Sequence, residues 1–168
     1  MTVDISSLTL EQALSVAIRS EMDSVAIYKK LKDMVKNFVM KDKLDFLIGE
    51  ETKHQQIVSK LFEKRFPGKE VHPTERGLVP KLSFALDEEN TVTDLLEMAM
   101  ESEKVSGDFY DRLAEEVDEK GVKEILQYLS IMEYGHYSLL KGEYDLCMRD
   151  EEYYERGDFQ YDMVHIGP

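Results

Sequence analysis

The feature that most constrains this chain is an internal repeat. Glu51-Thr-Lys-His54 and Glu133-Tyr-Gly-His136 stand 82 residues apart (133 − 51 = 82; 136 − 54 = 82). The same offset joins Glu21 to Glu103 (103 − 21 = 82) and Tyr28 to Tyr110 (110 − 28 = 82). It also pairs Ala17 with Ala99, Ser20 with Ser102, Ser24 with Ser106, and Leu44 with Leu126. Two heptad-like helices bring leucines into coincidence without common origin, but they do not place the same polar residues inside the same apolar stripes. Residues 13–61 and 95–143 therefore read as two copies of one unit, related by a pseudo-twofold axis.

Each unit has the pattern of a helical hairpin. Thr9-Leu-Glu-Gln12 is a capping box, which opens the first helix. Its apolar stripe is Leu14, Ala17, Ile18, Val25, Tyr28 and Leu31, at steps of three and four. After Lys36-Asn37 a second stripe runs Met40, Leu44, Leu47, Val58 and Leu61, ending before Pro67-Gly68. The third helix is expected from Thr91 or Thr93, with Val92, Leu96, Ala99, Ser106, Tyr110, Leu113 and Val117 inward. A turn near Asp118–Gly121 leads to the fourth, which carries Val122, Ile125, Leu126, Leu129, Leu140 and Tyr144 and fades near Arg149. Between the hairpins, about Pro67 to Asn90, lie three prolines and no helical period except at Lys81–Leu86. Adjacent antiparallel helices need only a few linking residues, so this length implies a crossover along the bundle. The expected organisation is an all-α four-helix bundle over residues 1–149. An acidic, aromatic tail, 150–168, would lie on the surface or reach a neighbouring subunit.

Each of the four stripes is interrupted at mid-height by a glutamate: Glu21, Glu51, Glu103 and Glu133. Two of them add a histidine one turn on, His54 and His136. Residues three apart on a helix share a face, so each Glu-x-x-His can grip one ion. Four buried carboxylates would repel one another and lose hydration. Two divalent cations cancel their charge. Carboxylates with one imidazole per ion suit iron or manganese better than calcium, which takes oxygen ligands, or structural zinc, which favours thiolate and imidazole. Iron adds redox chemistry. Tyr28 and Tyr110 stand two turns beyond Glu21 and Glu103, placed to hydrogen-bond a carboxylate on a facing helix. His72 and His165 have no repeat partner and read as loop residues, and Met98, Met100 and Met132 read as packing residues.

This pattern resembles the ferritin-like di-iron carboxylate proteins, in which two helices give a Glu and two give Glu-x-x-His. The duplicated hairpin and paired tyrosines are most similar to rubrerythrin. The resemblance covers about residues 9–149. It implies a ferritin-like bundle of two duplicated hairpins with a crossover, and two iron ions (or manganese) held by Glu21, Glu51, His54, Glu103, Glu133 and His136. It also implies reduction of hydrogen peroxide or O2 with electrons from a partner protein. Two features depart from the family. Full-length rubrerythrin carries a second iron site of two Cys-x-x-Cys pairs, whereas this chain has one cysteine, Cys147. Rubrerythrins also place an extra glutamate one turn after the third-helix ligand, where Ser106 stands here, so the redox-linked exchange of that ligand does not carry over.

Composition narrows the field further. A net charge of −14 disfavours nucleic acid and anionic membranes as partners and is compatible with attracting cations. No apolar stretch approaches the roughly 18 residues of a membrane span, and Met1–Leu10 lack a signal-peptide pattern, so a cytoplasmic protein is expected. A homodimer is expected through the tail and crossover. Besides a peroxide- or O2-reducing oxidoreductase, two alternatives use the same residues: a ferroxidase that handles iron as substrate, and a non-enzymatic metal-binding bundle.

Overall fold

The protein is described by a computed structural model over residues 8–79, 89–150 and 152–155. Four helices account for most of these residues: α1 (Leu10–Met34), α2 (Phe38–Arg65), α3 (Val92–Glu116) and α4 (Lys120–Arg149). Their ends repeat as their interiors do. Thr9 and Thr91 both build capping boxes, through Gln12 and Asp94, at the 82-residue offset (91 − 9 = 82). Val35 and Val117 are the matching C-caps (117 − 35 = 82). Asn37 and Glu119 are the matching N-caps of the second helix in each hairpin (119 − 37 = 82). Asn37 accepts a hydrogen bond from the Met40 N–H, whereas Glu119 makes no such bond. The turn into α4 is therefore residues 117–119, and Gly121 lies inside the helix rather than in the turn.

Helices pair mainly within hairpins, α1 with α2 and α3 with α4, and the hairpins meet chiefly through α1 and α3. Within the second hairpin the approach is close. A Cβ on Gly107 would lie 3.1 Å from the Tyr134 ring, and the Ser130 hydroxyl donates to the Gly107 carbonyl at 2.9 Å. All seven inward positions of α2, Glu51 and His54 among them, are buried. Val25, Val92, Val117, Ile125 and Tyr144, expected inward, are only half-buried. Ile27, Leu95 and Phe109 fill the core there instead, because the buried face of these helices is wider than a single stripe.

The apolar core forms two clusters. One joins Leu14, Ile18, Val58, Phe62, Tyr110, Leu113 and Leu126. The other joins Tyr28, Leu31, Leu44, Leu47, Leu95, Leu96 and Leu140. The 82-residue offset exchanges them: Leu14 becomes Leu96, Leu44 becomes Leu126, and Tyr28 becomes Tyr110. A duplication that swaps the two ends of a bundle has its pseudo-twofold axis across the bundle, at the level between the clusters. That level is where the glutamates lie.

The first part of the long connection runs along α1. Lys69 pairs with Glu11, the Leu78 N–H donates to the Ser20 hydroxyl at 3.3 Å, and Leu78 and Val79 enter opposite core clusters. Gly77 permits this approach, since a Cβ there would meet Asp23 Oδ2 at 2.9 Å and Ser20 Cα at 3.0 Å. The helical stretch expected at Lys81–Leu86 falls outside the described residues, as does most of the tail. What is described of the tail, residues 152–155, turns back onto the α1–α2 end. The Lys36 N–H donates to the Tyr154 carbonyl at 3.1 Å, and the buried Tyr154 hydroxyl donates to the Glu143 carbonyl at 2.7 Å.

Candidate metal centre

Between the two apolar clusters, Glu21, Glu51, His54, Glu103, Glu133 and His136 are all buried, each at most 3% exposed. α2 and α4 contribute the Glu-x-x-His pairs, and α1 and α3 one glutamate each. Donor atoms of Glu51, His54, Glu133 and His136 all lie within 4.8 Å of one another. Glu21 and Glu103 stand beside this quartet. Glu21 Oε2 is 3.8 Å from His54 Nδ1, and Glu103 Oε2 is 3.5 Å from His136 Nδ1.

The contacts come in symmetric pairs. His54 Nδ1 lies 2.8 Å from Glu133 Oε1, and His136 Nδ1 lies 2.6 Å from Glu51 Oε1. The Tyr28 hydroxyl donates to Glu103 Oε1, and the Tyr110 hydroxyl donates to Glu21 Oε1. Each tyrosine thus reaches from one hairpin to the flanking glutamate of the other. The two imidazoles stack with centroids 5.3 Å apart. Phe46, half exposed on α2, meets the His136 ring edge-on at 6.4 Å.

Short distances here do not mean hydrogen bonds. Both carboxylate oxygens of Glu51, one oxygen each of Glu103 and Glu133, and all four imidazole nitrogens are buried without a correctly oriented partner. Among the described residues, no lysine or arginine pairs with any of the six. Orphaned buried polar atoms are costly and rare in folded proteins. Lone pairs that converge on a common space without facing a donor are what metal ligands look like.

The electrostatics agree. Burial, then the Glu51 charge, raises Glu21 well above the ordinary carboxylate range, and burial, then Glu103, does the same to Glu133. Burial also pushes Glu51 upward, but the close approach of the His136 and His54 imidazoles outweighs it and holds Glu51 at about 2. Burial lowers His136, yet Glu103 and Glu51 carry it to about 10. Glu51 and Glu133 are equivalent by the repeat, and they settle on opposite sides of the ordinary value. Such a cluster lacks the positive charge needed to ionise all its carboxylates at once, and a pair of cations supplies it. Burial and the neighbouring glutamates, Glu103 for Tyr28 and Glu21 for Tyr110, raise both phenols well above their usual value, so both remain donors.

Ser106, where the family's extra glutamate would stand, is buried, as is its counterpart Ser24. His72 is exposed beside Glu70 in the connection, away from the cluster, and His165 lies outside the described residues. The sequence pattern does not single out Glu143, which is 2% exposed and paired with Lys43. It lies one turn beyond Leu140 on the α4 stripe, and its repeat partner is Leu61, so the offset that exposes the other glutamates hides this one.

A four-helix bundle of two hairpins with Glu, Glu-x-x-His, Glu, Glu-x-x-His converging at mid-height is the architecture of the ferritin-like di-metal carboxylate class. The family model described as Rubrerythrin matches residues 12–144, a span that includes all six of these residues. The chain belongs to the rubrerythrin family. The solved structure of a hypothetical protein from Pyrococcus furiosus is 32% identical, with a TM-score of 0.72, covering 88% of this chain and 97% of that one. Among curated proteins there is no match.

Proposed function

We propose that the protein is a non-haem di-iron oxidoreductase that reduces hydrogen peroxide, or O2, with electrons delivered by a partner protein. The observation that carries this reading is the buried Glu51–His54–Glu133–His136 quartet with its orphaned donor atoms. In family and residue types it fits a pair of redox metals.

Glu51 and His54 would hold one ion together with Glu21, and Glu133 and His136 the other with Glu103. Four carboxylates balance two divalent charges, so a loaded centre has no net charge to desolvate. Iron held by these six residues would supply the redox chemistry, with one electron available per ion for cleavage of an O–O bond. Tyr28 and Tyr110 hold the flanking carboxylates in place through one oxygen each, leaving the other oxygen turned toward the cluster. Burial and the neighbouring glutamates keep both phenols protonated, so each remains a donor to its carboxylate. The apolar clusters above and below exclude bulk water, which strengthens every interaction inside. The electrons are assigned to a separate donor protein.

Metal analysis and a reoxidation experiment test this together. The protein loaded with iron and reduced without oxygen is expected to hold about two irons per chain, as the class does, and to reoxidise far faster with peroxide than with air. Equal rates with the two oxidants would sink the peroxidase reading. Turnover of many Fe(II) ions per chain with Fe(III) released or mineralised would identify a ferroxidase instead. Metal-dependent melting without redox turnover would identify a binding protein.

A further inference from the structure

Whatever reacts at the buried centre has to reach it, and two faces of the bundle differ in how firmly they are closed. On one face α1 packs on α3, and the Tyr28–Glu103 and Tyr110–Glu21 hydrogen bonds tie the two helices together. The long connection lies along α1 there, with Leu78 buried and its N–H on the Ser20 hydroxyl. On the opposite face α2 and α4 meet far less closely. That face also carries large exposed apolar side chains: Phe46 on α2, and Tyr128 and Ile131 on α4.

Phe46 belongs both to the centre and to the surface. Its ring reaches across from α2 to meet His136 edge-on, with centroids 6.4 Å apart, yet the residue is 51% exposed. Among the described residues, the other side chains in hydrogen-bond, ion-pair or ring contact with the six are Tyr28 and Tyr110, and both are fully buried. A lone exposed aromatic means little by itself. This one rests on a candidate ligand and has open space beside it. Gly49 lies one turn on along the same face, and a Cβ there would meet nothing within 4 Å. Glycine weakens a helix interior. Gly107 is needed for the close approach of the Tyr134 ring, whereas no close approach calls for Gly49. The repeat supplies the comparison. Phe46 corresponds to Tyr128 (128 − 46 = 82), which is 49% exposed, and Gly49 corresponds to Ile131 (131 − 49 = 82). Among the described residues the Tyr128 ring makes no ring contact with His54. The combination of a ring on the centre and free space next to it occurs in one half of the repeat and not in the other.

We propose that Phe46 is the gate of the metal centre: it closes the seam between α2 and α4 over His136 and selects hydrogen peroxide over bulkier hydroperoxides by size. The selection among peroxides rests on the peroxide-reducing reading. A phenyl ring donates and accepts nothing, so swinging it from His136 toward Gly49 breaks no hydrogen bond. Exposed side chains change rotamer in picoseconds to nanoseconds, so opening of this kind does not limit a reaction. Hydrogen peroxide is little more than two oxygen atoms and passes where one ring has moved aside. A hydroperoxide with a tert-butyl or cumyl group needs the neighbouring side chains to move as well. Closed, the ring keeps bulk water off the imidazole and preserves the low-dielectric surroundings of the centre. Phe46 sets which molecules arrive and takes no part in what happens to them.

The test uses the full chain, loaded with iron and reduced, and compares its reoxidation by hydrogen peroxide and by cumene hydroperoxide. A second readout needs no peroxide: the rate at which the Fe(II) chelator ferrozine strips iron from the reduced protein without oxygen. Wild-type protein is expected to favour hydrogen peroxide several-fold. Phe46→Ala is expected to cut that preference several-fold by speeding the reaction with cumene hydroperoxide. It is also expected to speed iron loss several-fold, with iron content and melting temperature close to wild type. Phe46→Trp and Gly49→Leu fill the seam and are expected to slow both the cumene hydroperoxide reaction and iron loss. Tyr128→Ala removes an equally exposed aromatic from the same face and is expected to change neither. Unchanged preference and iron loss in Phe46→Ala, or equal changes in Tyr128→Ala, overturn the gate. If Phe46→Ala holds less iron, Phe46→Trp and Gly49→Leu decide instead, and iron loss as fast as wild type in both overturns the gate. If neither peroxide reoxidises the protein, the peroxide-reducing reading fails, and the iron-loss rates alone uphold or overturn the gate.

Discussion

Glu51 and Glu133 are equivalent by the repeat, and equivalence is a measurable property. Replacing either with alanine removes a carboxylate shared by the quartet and should cost about one metal ion per chain, to a similar degree for the two variants. Metal content by elemental analysis checks this, and a strongly unequal loss would argue against matched sites. Phenylalanine at Tyr28 or Tyr110 is milder, since only a hydroxyl goes. It leaves one oxygen of Glu103 or Glu21 buried without its donor, expected to destabilise the loaded protein by about 1–3 kcal/mol. Denaturant unfolding of both variants measures it, and no change in midpoint would mean the phenols do not hold the carboxylates. The six cluster residues were legible in the sequence because a charged group inside an apolar stripe has few uses, and the repeat showed it twice. Glu143 was not legible. Its stripe position is unremarkable, and the Lys43 that pairs with it lies a hundred residues away on another helix.

Helix ends carry the duplication as clearly as the interiors, and they differ at one informative place. Thr9 and Thr91 cap α1 and α3 with the same box, so alanine at either should cost about 1 kcal/mol, and equally. At the matching start of α4, Glu119 caps nothing with its side chain, whereas Asn37 caps α2. Glu119→Asn, which copies the other hairpin, is expected to stabilise the protein by about 0.5–1 kcal/mol. It forgoes the Arg65 contact at 3.3 Å, but both partners are about half exposed, and such pairs contribute little. A thermal melt that falls would show the Arg65 pair outweighing the cap. Element positions followed from caps and breakers in the sequence to within a residue or two. The width of each buried face did not, because a stripe of single residues cannot show that Ile27, Leu95 and Phe109 also turn inward once a second hairpin packs alongside.

At the scale of the whole molecule, the bundle is two apolar halves separated by a charged layer, and its stability without metal should report that layer. Glu21 and Glu133 are raised above the ordinary carboxylate value, and His136 is raised to about 10. A group whose pKa is higher folded than unfolded adds stability below its unfolded value, about 4.3 for Glu and about 6.5 for His. That contribution is lost as pH rises through the folded value, because the folded state then has to release a proton it held more tightly. Glu51, lowered to about 2, acts the other way, but its contribution is complete above the ordinary carboxylate range and fades only in stronger acid. His136 loses its contribution between about pH 6.5 and about pH 10, and Glu21 and Glu133 lose theirs in the same direction above the ordinary carboxylate range, so chelated protein is expected to melt at progressively lower temperature as pH rises through this window. Metal reverses the sign. Ligands must give up their protons to bind it, so affinity grows with pH, and bound metal adds stability in proportion to the logarithm of its excess over the dissociation constant. Melting curves of chelated and iron-loaded protein across this window should diverge as pH increases, the chelated curve falling while the loaded one does not. A chelated protein whose melting temperature stays flat or climbs over the same range would mean that the buried layer does not bind protons as the geometry requires. The separation of the curves would then have to come from elsewhere in the bundle.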